Sequence, residues 1–496
     1  MDLNRFRRYF PLAHWVIQRV WFLFPLFALA AMGLSVFSVH YGLSLMCCWI
    51  GVVCLWVDRK HLNYCLLTPL VPMAYILVLS LGAGISMVVY DLGGRYQYGY
   101  MVMQVIGLLG FPLFIVAYAA VMKRVPGFVF PAKLQRSAAS YVRPLLLIGW
   151  FCLLHELAKV GAGIASGVAD KGEAGDFQVD TPFGWWSAFG IFLRIQTLGY
   201  VLAPFIWRES RLFGRVLLMA LLTTLVFLNF VTGSRGMVFA PVVILLAGCY
   251  MFLEFRRIKY EILIAVVVLA AVPVVTLMSH YRSTDAFRET SIRNPFAKLA
   301  TIREGMERME TVTEASGERF TEAGKAFIGV NDAIIYELTP DTIPHEGFGR
   351  VEHLLWIYVP YMLSRGERPV LQDENMVSVM YTGQAYARSS IGITWSAELY
   401  RRWGWFGIPV GLCLYGLFYG AVFRVVYNYY LKRNLLFGFL ICGVFFHFFF
   451  LWIFHTLLLT CWLWLYDVPK NLALVTCLYF GLRSAIGFRQ SPGLWL

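Results

Sequence analysis

Arginine is the residue of this chain whose type and placement point to chemistry. Arg282, Arg288, Arg293, Arg303, Arg308, Arg319, Arg350, Arg365, Arg368, Arg388, Arg401 and Arg402 crowd the segment from Met278 to Trp403. Planar guanidinium forks at that density call for an anionic ligand or for acidic partners of their own. The densest stretch runs Ser364-Arg365-Gly366-Glu367-Arg368-Pro369, then Asp373-Glu374-Asn375, Arg388, and Gly392 to Tyr400 with Glu398. Cations there would hold a leaving pyrophosphate while a carboxylate takes the proton from an attacking hydroxyl. Glu398 is the first choice for that base, with Asp373 or Glu374 next. The alternative is a charge-compensated loop closed by its own salt bridges. Arg401 and Arg402 follow Glu398 by three and four residues, so on a helix a purely structural pair stands beside the catalytic reading.

Three further positions carry the same ambiguity. Thr232-Gly233-Ser234-Arg235-Gly236 is a tight turn between two apolar runs. Its glycines let Arg235 and nearby N–H groups approach a phosphate, although Arg235 snorkelling to head groups would look the same. Arg194 lies inside an apolar run, where a charge costs about 2.5–3.5 kcal/mol on insertion scales. It must face a polar cavity or pair with Glu156 or Asp180. His280 and Arg282 end another apolar run, and Arg282 is the better ligand of the two, a lone interfacial His being usually just solvated.

The elements that must position these groups are membrane helices. At 59% hydrophobic and 14% charged over 496 residues, the chain lies far from a soluble average. Apolar runs of membrane-crossing length occur near 18–37, 41–57, 64–84, 98–121, 141–158, 184–207, 215–232, 236–254, 260–279, 404–427, 435–456 and 466–483. Basic residues gather at every second connection (Arg7 and Arg8, Arg59 and Lys60, 123–143, Arg208 to Arg215, Arg256 to Lys259, Arg424 to Arg433, Arg483 and Arg489), which places those connections and both termini in the cytoplasm. The long arginine-rich loop falls on the opposite face, as long loops do regardless of charge. Orientation thus accounts for much of the +13 net charge, and nucleic acid is not an expected partner. The cysteines sit in or beside apolar runs without zinc spacing and read as small core residues. The first run, followed at once by others, reads as an uncleaved anchor.

Inside the long loop, Leu299, Ile302, Met306 and Met309 recur at helical spacing and predict an amphipathic helix; Phe320, Ala323, Phe327 and Ile334 predict a second. Leu354 to Leu363 is too short to span and fits an interfacial or re-entrant piece. Gly161 to Gly184, with Asp170, Glu173, Asp176 and Asp180, reads as an acidic flap. No internal repeat stands out, against a transporter of two duplicated halves.

The Ser-Arg-Gly turn at Ser234, the Tyr281-Arg282 run end, the large loop before the last spans, the Val359-Pro360 to Arg368-Pro369 stretch and Gly392-Ile393-Thr394 through Ala397-Glu398-Leu399-Tyr400 to Trp403-Gly404-Trp405-Phe406-Gly407 together resemble the Wzy-type oligosaccharide repeat-unit polymerases. The resemblance covers roughly Arg215 to Tyr430. It implies polymerisation of undecaprenyl-pyrophosphate-linked repeat units on the periplasmic face of a bacterial inner membrane, for O-antigen, capsule or exopolysaccharide. Its functional outer-loop arginines correspond to Arg235, Arg282 and Arg368, with Arg388 and Glu398 as further matches; Glu367 departs from the pattern. Arg365 and Arg194 join them as candidate pyrophosphate or glycan ligands. The partners implied are a lipid-linked donor and acceptor, membrane lipids and a chain-length regulator protein. An O-antigen ligase and a non-enzymatic lipid-linked oligosaccharide flippase are the alternatives.

The expected fold is an all-α polytopic transmembrane helix bundle of about twelve spans, GT-C-like, with one large periplasmic loop. It divides into an N-terminal bundle over 1–279, the loop with its amphipathic helices over 280–403, and C-terminal transmembrane helices over 404–496. Metal-dependent enzymes using such donors carry carboxylates in the first outer loop. Here that loop, Ser38 to Tyr41, holds His40 but no Asp or Glu, and no D-x-D occurs. Hard cations need oxygen ligands, so no metal and no cofactor is expected, and arginine takes the cation's place.

Overall fold

The computed structural model describes residues 11–57, 97–122, 138–166, 196–232, 330–358, 393–425 and 457–486, with shorter stretches between 241 and 307 and between 377 and 381. Its helices are α1 (Pro11–Gln18), α2 (Val20–Ser35), α3 (Val39–Val57), α4 (Gln97–Met122), α5 (Ala138–Ser166), α6 (Gln196–Glu209), α7 (Leu212–Val231), α8 (Asp285–Glu289), α9 (Pro295–Ala300), α10 (Val330–Leu338), α11 (Trp395–Val425), α12 (Leu457–Trp462) and α13 (Val468–Ile486). A 3-10 helix covers Val351–Tyr358 and a π turn Leu463–Asp467. Among the described residues there is no strand. Apolar segments away from water must satisfy each N–H and C=O internally, and a helix does so within one segment. The described residues are accordingly helical. Among the described residues four helices are long and apolar enough to cross a membrane: α4, Val142–Ala165 within α5, α7 and α11.

The chain forms two compact units, one of residues 1–10, 129–323 and 471–496, the other of 11–128 and 324–470. The segment 280–403, expected as one loop, is thereby shared between the two units.

In the first unit, α5 packs on α6 and α7. Val160, Ile164 and Val231 form a small core onto which Leu299 packs, and Phe296 tilts against Phe227 at 5.8 Å. The expected amphipathic helix around Leu299 thus begins as α9, with Pro295 in its first turn and the Asn294 side chain accepting from Ala297 N–H at 3.1 Å. Of the second expected amphipathic helix, only its end is described, as α10.

In the second unit the main contact is α4 with α11. Lipid tails are as apolar as leucine, so close van der Waals packing and interhelical hydrogen bonds hold such helices together. The small-xxx-small pair Gly416 and Gly420 supplies the close approach. A Cβ at Gly416 would lie 2.5 Å from the Phe114 carbonyl oxygen and one at Gly420 3.1 Å from that of Tyr118. Gln104 supplies the polar contact between α3 and α4: its amide donates to the His40 carbonyl at 3.0 Å and the Ser44 hydroxyl at 2.9 Å.

Where one span over 404–427 was expected, α11 starts at Trp395 and breaks at Gly404, which adopts φ 62°, ψ −152°. The chain doubles back there. Leu399 lies against a second small pair, Gly407 and Gly411, its Cδ2 2.4 Å from where a Gly411 Cβ would be, and Trp395 stacks on Tyr415 at 4.8 Å and Tyr419 at 5.5 Å. Limb 395–403 is a short helix folded onto limb 405–425. The second limb, of about 31 Å at 1.5 Å per residue, has membrane-crossing length and carries the outward-facing Phe406, Leu414 and Phe418.

Candidate functional site

Limb 395–403 is buried on nearly every side although it carries Ser396, Glu398, Arg401 and Arg402. Buried charges persist only when paired and hydrogen-bonded. Glu398, 1% exposed, achieves this with both oxygens. Arg401 donates through Nε to Oε2 at 2.9 Å and through Nη2 to Oε1 at 3.0 Å, a two-point fork. Arg402 Nε donates to Oε1 at 2.6 Å, and the first N–H of α12, from Leu457, reaches the same oxygen at 3.1 Å.

A loop from the long segment closes over this limb. Glu346 accepts from Arg401 Nη1 and forms an ion pair with Arg350 Nη2 at 3.0 Å. Arg402 Nη1 donates to the carbonyls of Gly347 at 3.1 Å and Gly349 at 3.0 Å. The break at Gly404 would strand the last carbonyls of the limb. Glu346 N–H and Gly347 N–H meet those of Arg401 and Arg402 at 3.2 and 2.9 Å, and His345 Nδ1 lies 3.4 Å from the Arg401 carbonyl. Gly347 turns the loop at φ 60°, and Arg350 holds φ 63°, a backbone state uncommon for a side-chain-bearing residue and frequent at functional sites.

The other end of the limb is held from α10. Thr394 caps the helix, its carbonyl accepting from Glu398 N–H at 3.0 Å. Asp332 takes the Thr394 N–H at 3.0 Å and its hydroxyl at 2.5 Å, and Ser396 Oγ lies 2.8 Å from Thr394 Oγ1. A carboxylate at a helix N-terminus is favoured by the helix dipole. Five residues on, Glu337 accepts from Gly99 N–H in the first turn of α4 at 2.8 Å. One short helix therefore caps the start of both limb 395–403 and α4.

Burial pushes the Asp332 carboxyl up to about 6, partly offset by its two bonds from Thr394. A raised carboxyl contributes stability that is full below its unfolded value near 4 and is lost as pH rises through about 6. Asp332→Asn, which keeps the shape and one acceptor, is expected to flatten this dependence. The difference in unfolding free energy between wild type and variant should change by on the order of 3 kcal/mol between about pH 4 and 7. Thermal unfolding across that window checks it, and parallel profiles would show that Asp332 does not titrate there.

Of the residues singled out by sequence, Glu398 is described and stands at the centre of this network. Arg194, Arg235, Arg282, Arg365, Arg368, Arg388, Asp373 and Glu374 lie outside the described residues, as do His280, Asp180 and most of the acidic flap. Glu156, one of the acids considered for Arg194, is buried and pairs with Lys159 at 3.4 Å. Sequence reasoning missed Asp332, His345 and Glu346. Their partners lie over fifty positions away in the chain, and the helix expected over Phe320 to Ile334 put Asp332 near its end, where a carboxylate signals no cap. Among the described residues no cluster of His, Cys, Asp or Glu side chains is placed to hold a metal ion.

Comparison of the chain with family models, with curated proteins and with solved structures returned no match.

Proposed function

We propose that the protein is a polymerase of undecaprenyl-pyrophosphate-linked oligosaccharide repeat units, working at the periplasmic face of a bacterial inner membrane through about twelve spans. The observation that carries the reading is the buried limb 395–403. Charged groups within membrane helices are costly and mark functional sites by default. This one lies in the Gly-Ile-Thr to Tyr-Arg-Arg motif that resembles the polymerases, and it is pinned by a loop from the arginine-rich segment.

In this reading Arg235, Arg282 and Arg368, with Arg365, Arg388 and Arg194 around them, hold the donor pyrophosphate. An acceptor sugar hydroxyl attacks the donor anomeric carbon, the bond from that carbon to the pyrophosphate oxygen breaks, and the polyprenyl pyrophosphate leaves with the electron pair. The hydroxyl proton passes to a carboxylate. Glu398 has both oxygens committed to Arg401, Arg402 and Leu457, so we assign it to positioning and the proton to Asp373 or Glu374.

Deletion of the gene tests the reading: polymer is lost while single-repeat glycan is still attached. Loss of attachment would instead favour a ligase, and accumulation on the cytoplasmic face a flippase. Purified enzyme should keep its activity in the presence of a chelator. Arg235→Lys, Arg282→Lys and Arg368→Lys should each lose about tenfold or more in turnover, because a point charge lacks the two-point geometry of the guanidinium. Full activity in all three lysine variants would remove these residues from the donor site.

A further inference from the structure

Away from that network, in the first unit, the turn between α6 and α7 carries Arg208, Arg211 and Arg215. Arg208 is paired with Glu209 at 2.7 Å. Arg215 is fixed differently: its Nε donates to the Trp207 carbonyl at 2.9 Å, and its guanidinium lies 5.6 Å from the centre of the Trp207 ring. Arg211 stands at the start of α7, whose first turn has no side-chain cap. Helix N-terminus and guanidiniums together create a positive potential at this turn.

Beneath Arg215 opens a groove of about 650 Å³, bordered by Trp207, Val216, Met219, Ala220 and Thr224. The Thr224 hydroxyl is satisfied by the Ala220 carbonyl at 2.8 Å and asks nothing of an occupant. From Arg215 to Thr224 the helix rises ~13 Å, close to the depth of one leaflet of a hydrocarbon core roughly 30 Å thick. Positive-inside orientation accounts for arginines at the turn. It does not account for an apolar groove of leaflet depth ending at one of them.

We propose that this groove binds one anionic phospholipid, its acyl chain along α7 and its phosphate on Arg215 and Arg211. Charge favours an anionic head group over a choline one. The Trp207 ring, the natural platform for a quaternary ammonium, already carries the Arg215 guanidinium. The depth favours a lipid confined to one leaflet.

Native mass spectrometry of the full-length protein, released from mild detergent with phosphatidylglycerol and phosphatidylcholine present equally, tests this. Wild type should retain one phosphatidylglycerol with about tenfold preference, the worth of one charge-assisted contact. Arg215→Gln should lose the preference. Ala220→Phe, a change at an exposed groove position, should lose retention of either lipid without disturbing the core, and it serves where Arg215→Gln misfolds. Undiminished phosphatidylglycerol retention in Ala220→Phe would overturn the proposal. So would displacement of phosphatidylglycerol by an equal amount of polyprenyl phosphate, which would make the groove a carrier-lipid site.

Discussion

Glu398→Gln is expected to destabilise the purified protein by about 3–5 kcal/mol, the usual cost of removing one partner from a buried ion network. The glutamine amide keeps the size of the side chain, yet it has one accepting oxygen where the carboxylate uses two. It also turns an N–H₂ group toward Arg401 or Arg402, donors facing a donor. Both arginines are essentially unexposed, so water cannot take over the lost bonds. Arg401 still has Glu346, and Arg402 still has the Gly347 and Gly349 carbonyls, which is why the limb should loosen and not unfold the whole unit. Thermal unfolding in detergent, read beside polymer synthesis in cells, separates two outcomes. A positioning role gives lower thermal stability and abundance with activity falling in proportion. A proton-accepting role gives parental stability with polymerisation lost, and that result would return Glu398 to the reaction. Combining Glu398→Gln with Arg402→Met should recover part of the stability, since removing both partners leaves fewer buried charges unpaired.

What sequence could and could not reveal follows the range of the interaction. Helices α3, α4 and α7 begin and end within three residues of the expected apolar runs, because run length and composition are local properties. The Glu398–Arg402 pair was likewise legible, at four residues' separation on a helix. Glu346 and Asp332 were not. Each meets limb 395–403 from more than fifty positions away, and single-sequence patterns carry no pairing information at that range. The fold-back at Gly404 failed for another reason: one glycine within an apolar run is compatible with an uninterrupted span. The informative signal was its setting, between polar 394–402 and the Gly407-xxx-Gly411 pair. Nine residues bearing Glu398, Arg401 and Arg402 suit a helix buried in protein better than one bathed in lipid, and the small pair marks where such a helix docks.

That setting makes Gly404→Ala the second large effect. At φ 62° and ψ −152° the backbone occupies a region open almost only to glycine, at a cost on the order of 1–3 kcal/mol for any other residue. A Cβ here would also stand 3.0 Å from His345 Nε2, so the ring must shift. His345 belongs to the loop that carries Glu346, and moving it pulls on the contacts closing Arg401 and Arg402. Substitution should therefore lower thermal stability by more than the backbone strain alone. The alternative for the chain is to straighten at residue 404 and withdraw limb 395–403 from its packing against Gly407 and Gly411. The His345→Ala background distinguishes the two contributions. There the steric part of the Gly404→Ala loss should disappear while the backbone part remains, leaving about 1–3 kcal/mol. A Gly404→Ala protein with parental thermal stability would mean that the chain passes residue 404 without the reversal. The buried limb, and the positioning role assigned to it, would fall with that result.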